Sequence, residues 1–142
     1  METSLKRTKL LNRHLSRLIA ELGHLDEITI ADAGLPVPQG VDVIDLAISP
    51  GEPKMATVLN VIAEELIIDG AVIAEQARGN KAETILADAL RIFTLSGNLS
   101  NIKPLMIEHE EFKRRVTCSK AVIRTGEITP YCNIILKAGV AF

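Results

Sequence analysis

The apolar positions of this chain switch repeatedly between helical spacing and short β-branched runs. Leu11, Leu15, Leu18, Ile19 and Leu22 recur at helical intervals, which predicts an amphipathic first helix with Gly23 as its C-terminal stop. The stretch EITIADAGLPVP follows. In it Ile28 and Ile30 predict a short strand, Asp32 lies at its end, and Gly34, Pro36 and Pro38 force an irregular loop. VDVIDLAI, Val41 to Ile48, predicts a second strand. SPGEP then reads as a turn into a helix carried by Met55, Val58, Leu59, Ile62 and Leu66. Further along, GAVIAE, KPLMIEH, KAVIRTGE and NIILKAGV read as strands, with NKAETILADALRIF and EEFKRRV as helices between them.

This alternation predicts an α/β fold with a largely parallel sheet. No linker, repeat or low-complexity tract divides it, so residues 1–142 read as a single domain. In such sheets ligands gather beyond the C-terminal ends of the strands. The polar residues at those ends are Asp32, Glu75, His109 and Glu127, while His24 precedes its strand. Each also fits a local role. Asp32 suits a cap on the turn at Gly34, Glu75 a solvent-facing position, His109 an N-cap-like start to EEFK, and His24 a helix C-terminus.

Composition narrows the picture. Hydrophobic residues make up 47% of the chain but aromatic ones only 3%, with no Trp, so the core must be aliphatic and suits buried strands under helices. A net charge of -2 gives no electrostatic reason to expect nucleic acid or an anionic membrane as partner. Cys118 and Cys132 are too few for a disulfide framework, which makes a reducing, cytoplasmic compartment the default. No two of the three histidines stand four apart with a carboxylate between, so no metal site is expected. Near the N-terminus, Arg13, Arg17 and Glu21 interrupt any apolar run that would suit a signal peptide or a membrane span.

The only tyrosine, Tyr131, sits in TGEITPYCNIIL, where a loop between Gly126 and Pro130 runs into a strand. By itself the loop reads as a surface aromatic beside a turn asparagine. Four segments in order, LLNRHLSRLIAELGH, DEITIADAGLPVP, HEEFK and RTGEITPYCN, resemble the D-ribose pyranase family, whose broader group includes fucose mutarotase. The resemblance runs over nearly the whole chain and is weakest from Gln76 to Lys103.

That resemblance implies a three-layer α/β/α fold and an isomerase of ribose catabolism, a mutarotase that interconverts the pyranose and furanose rings of D-ribose, without a cofactor. The family's proton-donating histidine falls on His24 and its sugar-contacting aspartate on Asp32. Its second histidine falls on His109, the nearby lysine on Lys113, and its last binding loop on Tyr131, Cys132 and Asn133. It also implies a ring-shaped homo-oligomer with sites between subunits. The apolar end AGVAF, with Phe142 last, suits burial in such a contact.

The chemistry of those residue types agrees with the resemblance. Opening a cyclic hemiacetal takes the proton from the anomeric hydroxyl and protonates the ring oxygen, and closure through another hydroxyl changes the ring size. Histidine exchanges protons near neutrality. Asp32 suits orienting a hydroxyl, Tyr131 a sugar face, and Asn133 a hydroxyl needing both donor and acceptor. Lys113, four residues after His109, suits either a sugar oxygen or a pair with Glu110. His14, inside the first helix, reads as structural or solvated. At positions 128 and 132 the family pattern has Cys and Ala where this chain has Ile128 and Cys132, which bears on substrate choice more than on reaction type.

Overall fold

The computed structural model describes residues 5–98 and 101–140. The chain order is α1 (Arg13–Glu21), β1 (Glu27–Ala31), β2 (Asp42–Asp45), α2 (Met55–Ala63) and β3 (Ile68–Ala74), followed by a single 3-10 turn (Glu75–Ala77). Then come α3 (Lys81–Leu95), β4 (Leu105–Ile107), α4 (His109–Val116), β5 (Ala121–Arg124) and β6 (Ile134–Ala138). Every predicted helix and strand forms. The boundaries contract: β2 keeps only four residues of Val41–Ile48, and α2 stops before Leu66. Gly23 is not the helix stop either. Leu22 caps α1 in an extended conformation, and the left-handed residue is Leu25, with φ 72°. The reading of Phe142 as a contact residue lies outside the described residues.

All six strands join one sheet in the order β2-β5-β1-β6-β3-β4. β6 is antiparallel to both β1 and β3, while the other pairings are parallel, so five strands point one way and β6 the other. The alternation of side chains across the pleat then builds a core on each face. Ile28 and Ile30 of β1, Ile134 and Leu136 of β6, and Ile73 of β3 pack under α1, α2 and α3. Val72, Val122 and Ile135 meet Phe112 and Val116 of α4 on the other face. The result is three layers, with three helices on one side and one on the other.

Candidate functional site

The topology collects most of the polar candidates at one edge. Asp32 follows β1, Gln76 follows β3, His109 follows β4, Glu127 follows β5, and Tyr131 and Asn133 precede the antiparallel β6. Together Asp32, Gly34, His109, Glu127, Tyr131 and Asn133 line a cleft of about 530 Å³.

Asn133 holds Asp32 in place. The main-chain N–H of Asp32 donates to Asn133 Oδ1 at 2.7 Å, and Asn133 Nδ2 donates to Asp32 Oδ2 at 3.2 Å. Asp32 Oδ1 accepts from the Gly34 amide at 3.0 Å, so the expected turn cap is real and coexists with the cleft position. Burial pushes the Asp32 carboxyl above its ordinary value. Donors from Gly34, Asn133 and Leu35, and nearby His109, pull the other way without cancelling it. Asn133 itself is 1% exposed, yet it is among the residues that line the cleft. Its carbonyl and one N–H are committed to Asp32, so it orients that carboxylate, and its second N–H is the donor that remains.

His109 is the first residue of α4, but Glu108 is its N-cap, accepting from the Glu110 amide at 2.7 Å. The His109 amide donates to Gln76 Oε1 at 3.0 Å, tying α4 to the end of β3. Its ring lies edge-on to Tyr131, with centroids 5.0 Å apart and planes at 86°, and stacks 6.4 Å from Phe112. Among the described residues, His109 Nδ1 is the one buried side-chain nitrogen or oxygen without a hydrogen-bond partner. A buried polar atom without a partner is uncommon in a folded protein and sets His109 apart from its packed neighbours.

Tyr131 adopts a left-handed φ of 61°, unusual for a bulky residue, and that backbone turns its ring toward His109. Behind the loop sits Glu127, 7% exposed, which the sequence marks as a strand-end residue without giving it a role. Its Oε1 accepts from the Met55 amide at 3.0 Å, capping α2, whose own N-cap Lys54 offers no side-chain bond. Its Oε2 accepts from Thr129 Oγ1 at 2.8 Å. Burial raises the Glu127 carboxyl, but these donors and the Thr129 and Ile128 amides outweigh it and hold it below its ordinary value.

Two expected binding residues have their side chains engaged elsewhere, which leaves Cys132 only the main chain expected of it to offer the cleft. The Cys132 thiol is fully buried in the core beneath α1, α2 and α3, and burial, with help from Glu127 and Asp32, pushes it up to about 12. Its added bulk therefore lies in the core rather than in the cleft. Lys113 pairs with Glu110 at 3.0 Å, the local alternative that its spacing allowed.

His24 stands apart from this group. It precedes β1 whereas Asp32 follows it, which puts about 17 Å of strand between them at 3.4 Å per residue. Asp26 N donates to Gly23 O at 3.1 Å across the tight turn 23–26, and the left-handed Leu25 is its third residue, the pattern of a type II turn with His24 second. Leu25 N then donates to Ala138 O at 2.8 Å, locking the turn to the end of β6. His24 is exposed, and its Nε2 lies 2.8 Å from Asp69 Oδ2.

Comparison with known proteins closes the description. The sequence profile of the RbsD / FucU transport protein family matches residues 5–141. The D-ribose pyranase of Aeromonas salmonicida (strain A449) is 48% identical over 141 residues, spanning 97% of this chain and 100% of that protein. That of Coprothermobacter proteolyticus is 46% identical over 138 residues, with the same coverage of both chains. Bacillus subtilis RbsD, solved in complex with D-ribose, superposes with a TM-score of 0.84 at 41% identity, covering 97% of this chain and 100% of that one. The fucose mutarotase of Streptococcus pneumoniae, solved with L-fucose, gives 0.76 at 27% identity, again with 97% and 100% coverage.

Proposed function

The chain belongs to the RbsD / FucU transport protein family, and we propose that within it this protein is an isomerase that interconverts the pyranose and furanose forms of D-ribose. The observation that carries this at the level of the site is His109. His109 lines the cleft together with Asp32 and Tyr131, so the site offers a neutral polyol an acceptor, an imidazole and an aromatic face. No charged group of the ligand is required.

In this reading Asp32 receives a sugar hydroxyl, oriented by Asn133, and Tyr131 lies against the ring. His24 exchanges the proton with the hemiacetal. Because His24 lies at the far end of β1, it reaches the sugar only from a neighbouring subunit, which makes a homo-oligomer with sites between subunits part of the proposal. A cytoplasmic location belongs to the same reading. The ring opens as the anomeric O–H proton leaves and the ring oxygen is protonated, and it closes through a different hydroxyl. A positioned acid or base contributes typically 10²–10⁴-fold to such transfers.

Saturation-transfer NMR on the anomeric protons of ribose reads the exchange at equilibrium. Catalysed pyranose-furanose exchange is the expected result, and ribose binding without acceleration would mean a sugar-binding module. The likeness to the fucose mutarotase supports a second substrate reading. Faster exchange of L-fucose than of D-ribose, at equal concentrations, would favour it.

The shared site has its own test. Mixing subunits that carry His24→Ala with subunits that carry Asp32→Ala, each inactive alone, should restore roughly a quarter of the sites if partners assort at random. No recovery after confirmed exchange of subunits would place both groups on one chain's site.

A further inference from the structure

We propose that Asp69 is a positioning residue for His24, placed on a β-bulge so that its carboxylate fixes the imidazole which transfers the proton. The inference rests on the reading above in which His24 exchanges that proton. Three separate features of the fold converge on it.

The first is register. β3 pairs with β6 as Ile68 with Ala138 and then Gly70 with Lys137, so Asp69 is the extra residue between two successive partners. A bulge of this kind bends the strand and re-aims the side chain it carries. In an unbroken strand Asp69 would alternate with its neighbours across the pleat. Here it leaves the ladder at the same sheet edge where the His24 turn is fastened.

The second is space. Gly139 N donates to Ile67 O at 2.8 Å, which brings the end of β6 against the start of β3. A Cβ on Gly139 would come within 2.6 Å of Asp69 Oδ1, so a glycine at 139 is what leaves room for the carboxylate. The third is contact. Asp69 Oδ2 is 2.8 Å from His24 Nε2, and a carboxylate oxygen only accepts, so Nε2 carries the proton and donates it.

That bond leaves His24 Nδ1 as the nitrogen available to the sugar. When Nδ1 takes the anomeric proton, the ring becomes an imidazolium beside a carboxylate that does not itself need to be protonated. Asp69 thus both fixes the ring's orientation and offsets the charge that forms. Asp69 touches the imidazole and not the sugar. Its effect should therefore depend wholly on His24.

A double-mutant cycle tests this with exchange rates from saturation-transfer NMR. Asp69→Asn should slow ribose exchange by about 10- to 100-fold, the usual size for loss of a partner behind a functional histidine, with ribose affinity by calorimetry unchanged. In a His24→Ala background, Asp69→Asn should change nothing further. Asp69→Glu, which keeps a carboxylate, should recover part of the rate. An equal loss from Asp69→Asn with and without His24 would make Asp69 a structural residue and overturn the proposal, as would full activity of Asp69→Asn when His24→Ala is impaired. Full activity of His24→Ala would instead refute the role of His24 on which the inference stands.

Discussion

Asn133 grips Asp32 twice, accepting from its main-chain N–H at 2.7 Å and donating to its carboxylate at 3.2 Å. One buried amide therefore fixes both the backbone and the side chain of the cleft's acidic residue. Removing it leaves a buried N–H without a partner, at a cost of about 1–3 kcal/mol. Asn133→Ala should lower the unfolding free energy measured in urea by that amount and slow ribose exchange as Asp32 loses its orientation. A variant as stable as the parent and altered only in ribose affinity would mean that the amide serves the sugar directly.

The two buried carboxyls of the cleft should respond to acid with opposite signs. Glu127 is held below its ordinary value, so its contribution is present above its unfolded pKa of roughly 4.5 and is lost as pH falls through the folded value. Asp32 is raised above its ordinary value, so its contribution is present at low pH and is lost as pH rises through the folded value. In urea titrations from pH 6 to pH 3, Glu127→Gln should therefore lose less stability than the parent. A steeper loss in the variant would contradict the assigned direction.

Much of the fold was legible because each element carries its own period. The alternation of LLNRHLSRLIAEL with EITIA, and of GAVIAE with NKAETILADALRIF, is local information, and local hydrogen bonding honours it. Strand direction is not local. β6 is buried on both faces through Ile134, Ile135 and Leu136, so its sequence reads like the parallel strands beside it, and only the pairing shows that it runs against them. The site divides in the same way. Asp32, His109 and Tyr131 stand at strand ends that the sequence marks, and they meet in one cleft. Glu127 was visible as a strand-end residue, but its partner Met55 lies 72 residues away. Asp69 gave no signal at all, because its placement depends on a register shift between strands far apart in sequence.

Gly126 should tolerate no side chain. Its amide donates to Pro53 O and its carbonyl accepts from the Gly51 amide, which presses the β5–β6 loop onto the turn before α2. A Cβ there would collide with the backbone of Glu52, including its carbonyl oxygen. Backbone cannot swing aside as a side chain does. Gly126→Ala should destabilise by about 1–3 kcal/mol, as overpacking of a closed core does, measured by thermal or urea unfolding. Because Glu127 follows directly, exchange activity should fall with it. An unchanged melting temperature would show that the turn yields easily.

Tyr131 allows strain and ring to be separated. At φ 61° any residue with a Cβ is disfavoured by about 1 kcal/mol relative to glycine, so Tyr131→Gly should be more stable than Tyr131→Ala by about that much. Both variants lose the edge-on contact with His109 and the apolar face over the cleft. Both should therefore bind ribose more weakly by a similar factor, whatever their stabilities. Paired calorimetry and urea unfolding of the two variants give the comparison. If affinity instead followed stability, with the glycine variant binding as well as the parent, Tyr131 would matter only through its backbone. If both variants bind weakly while differing in stability, the chain tolerates a strained tyrosine at this position because the ring is what the sugar meets.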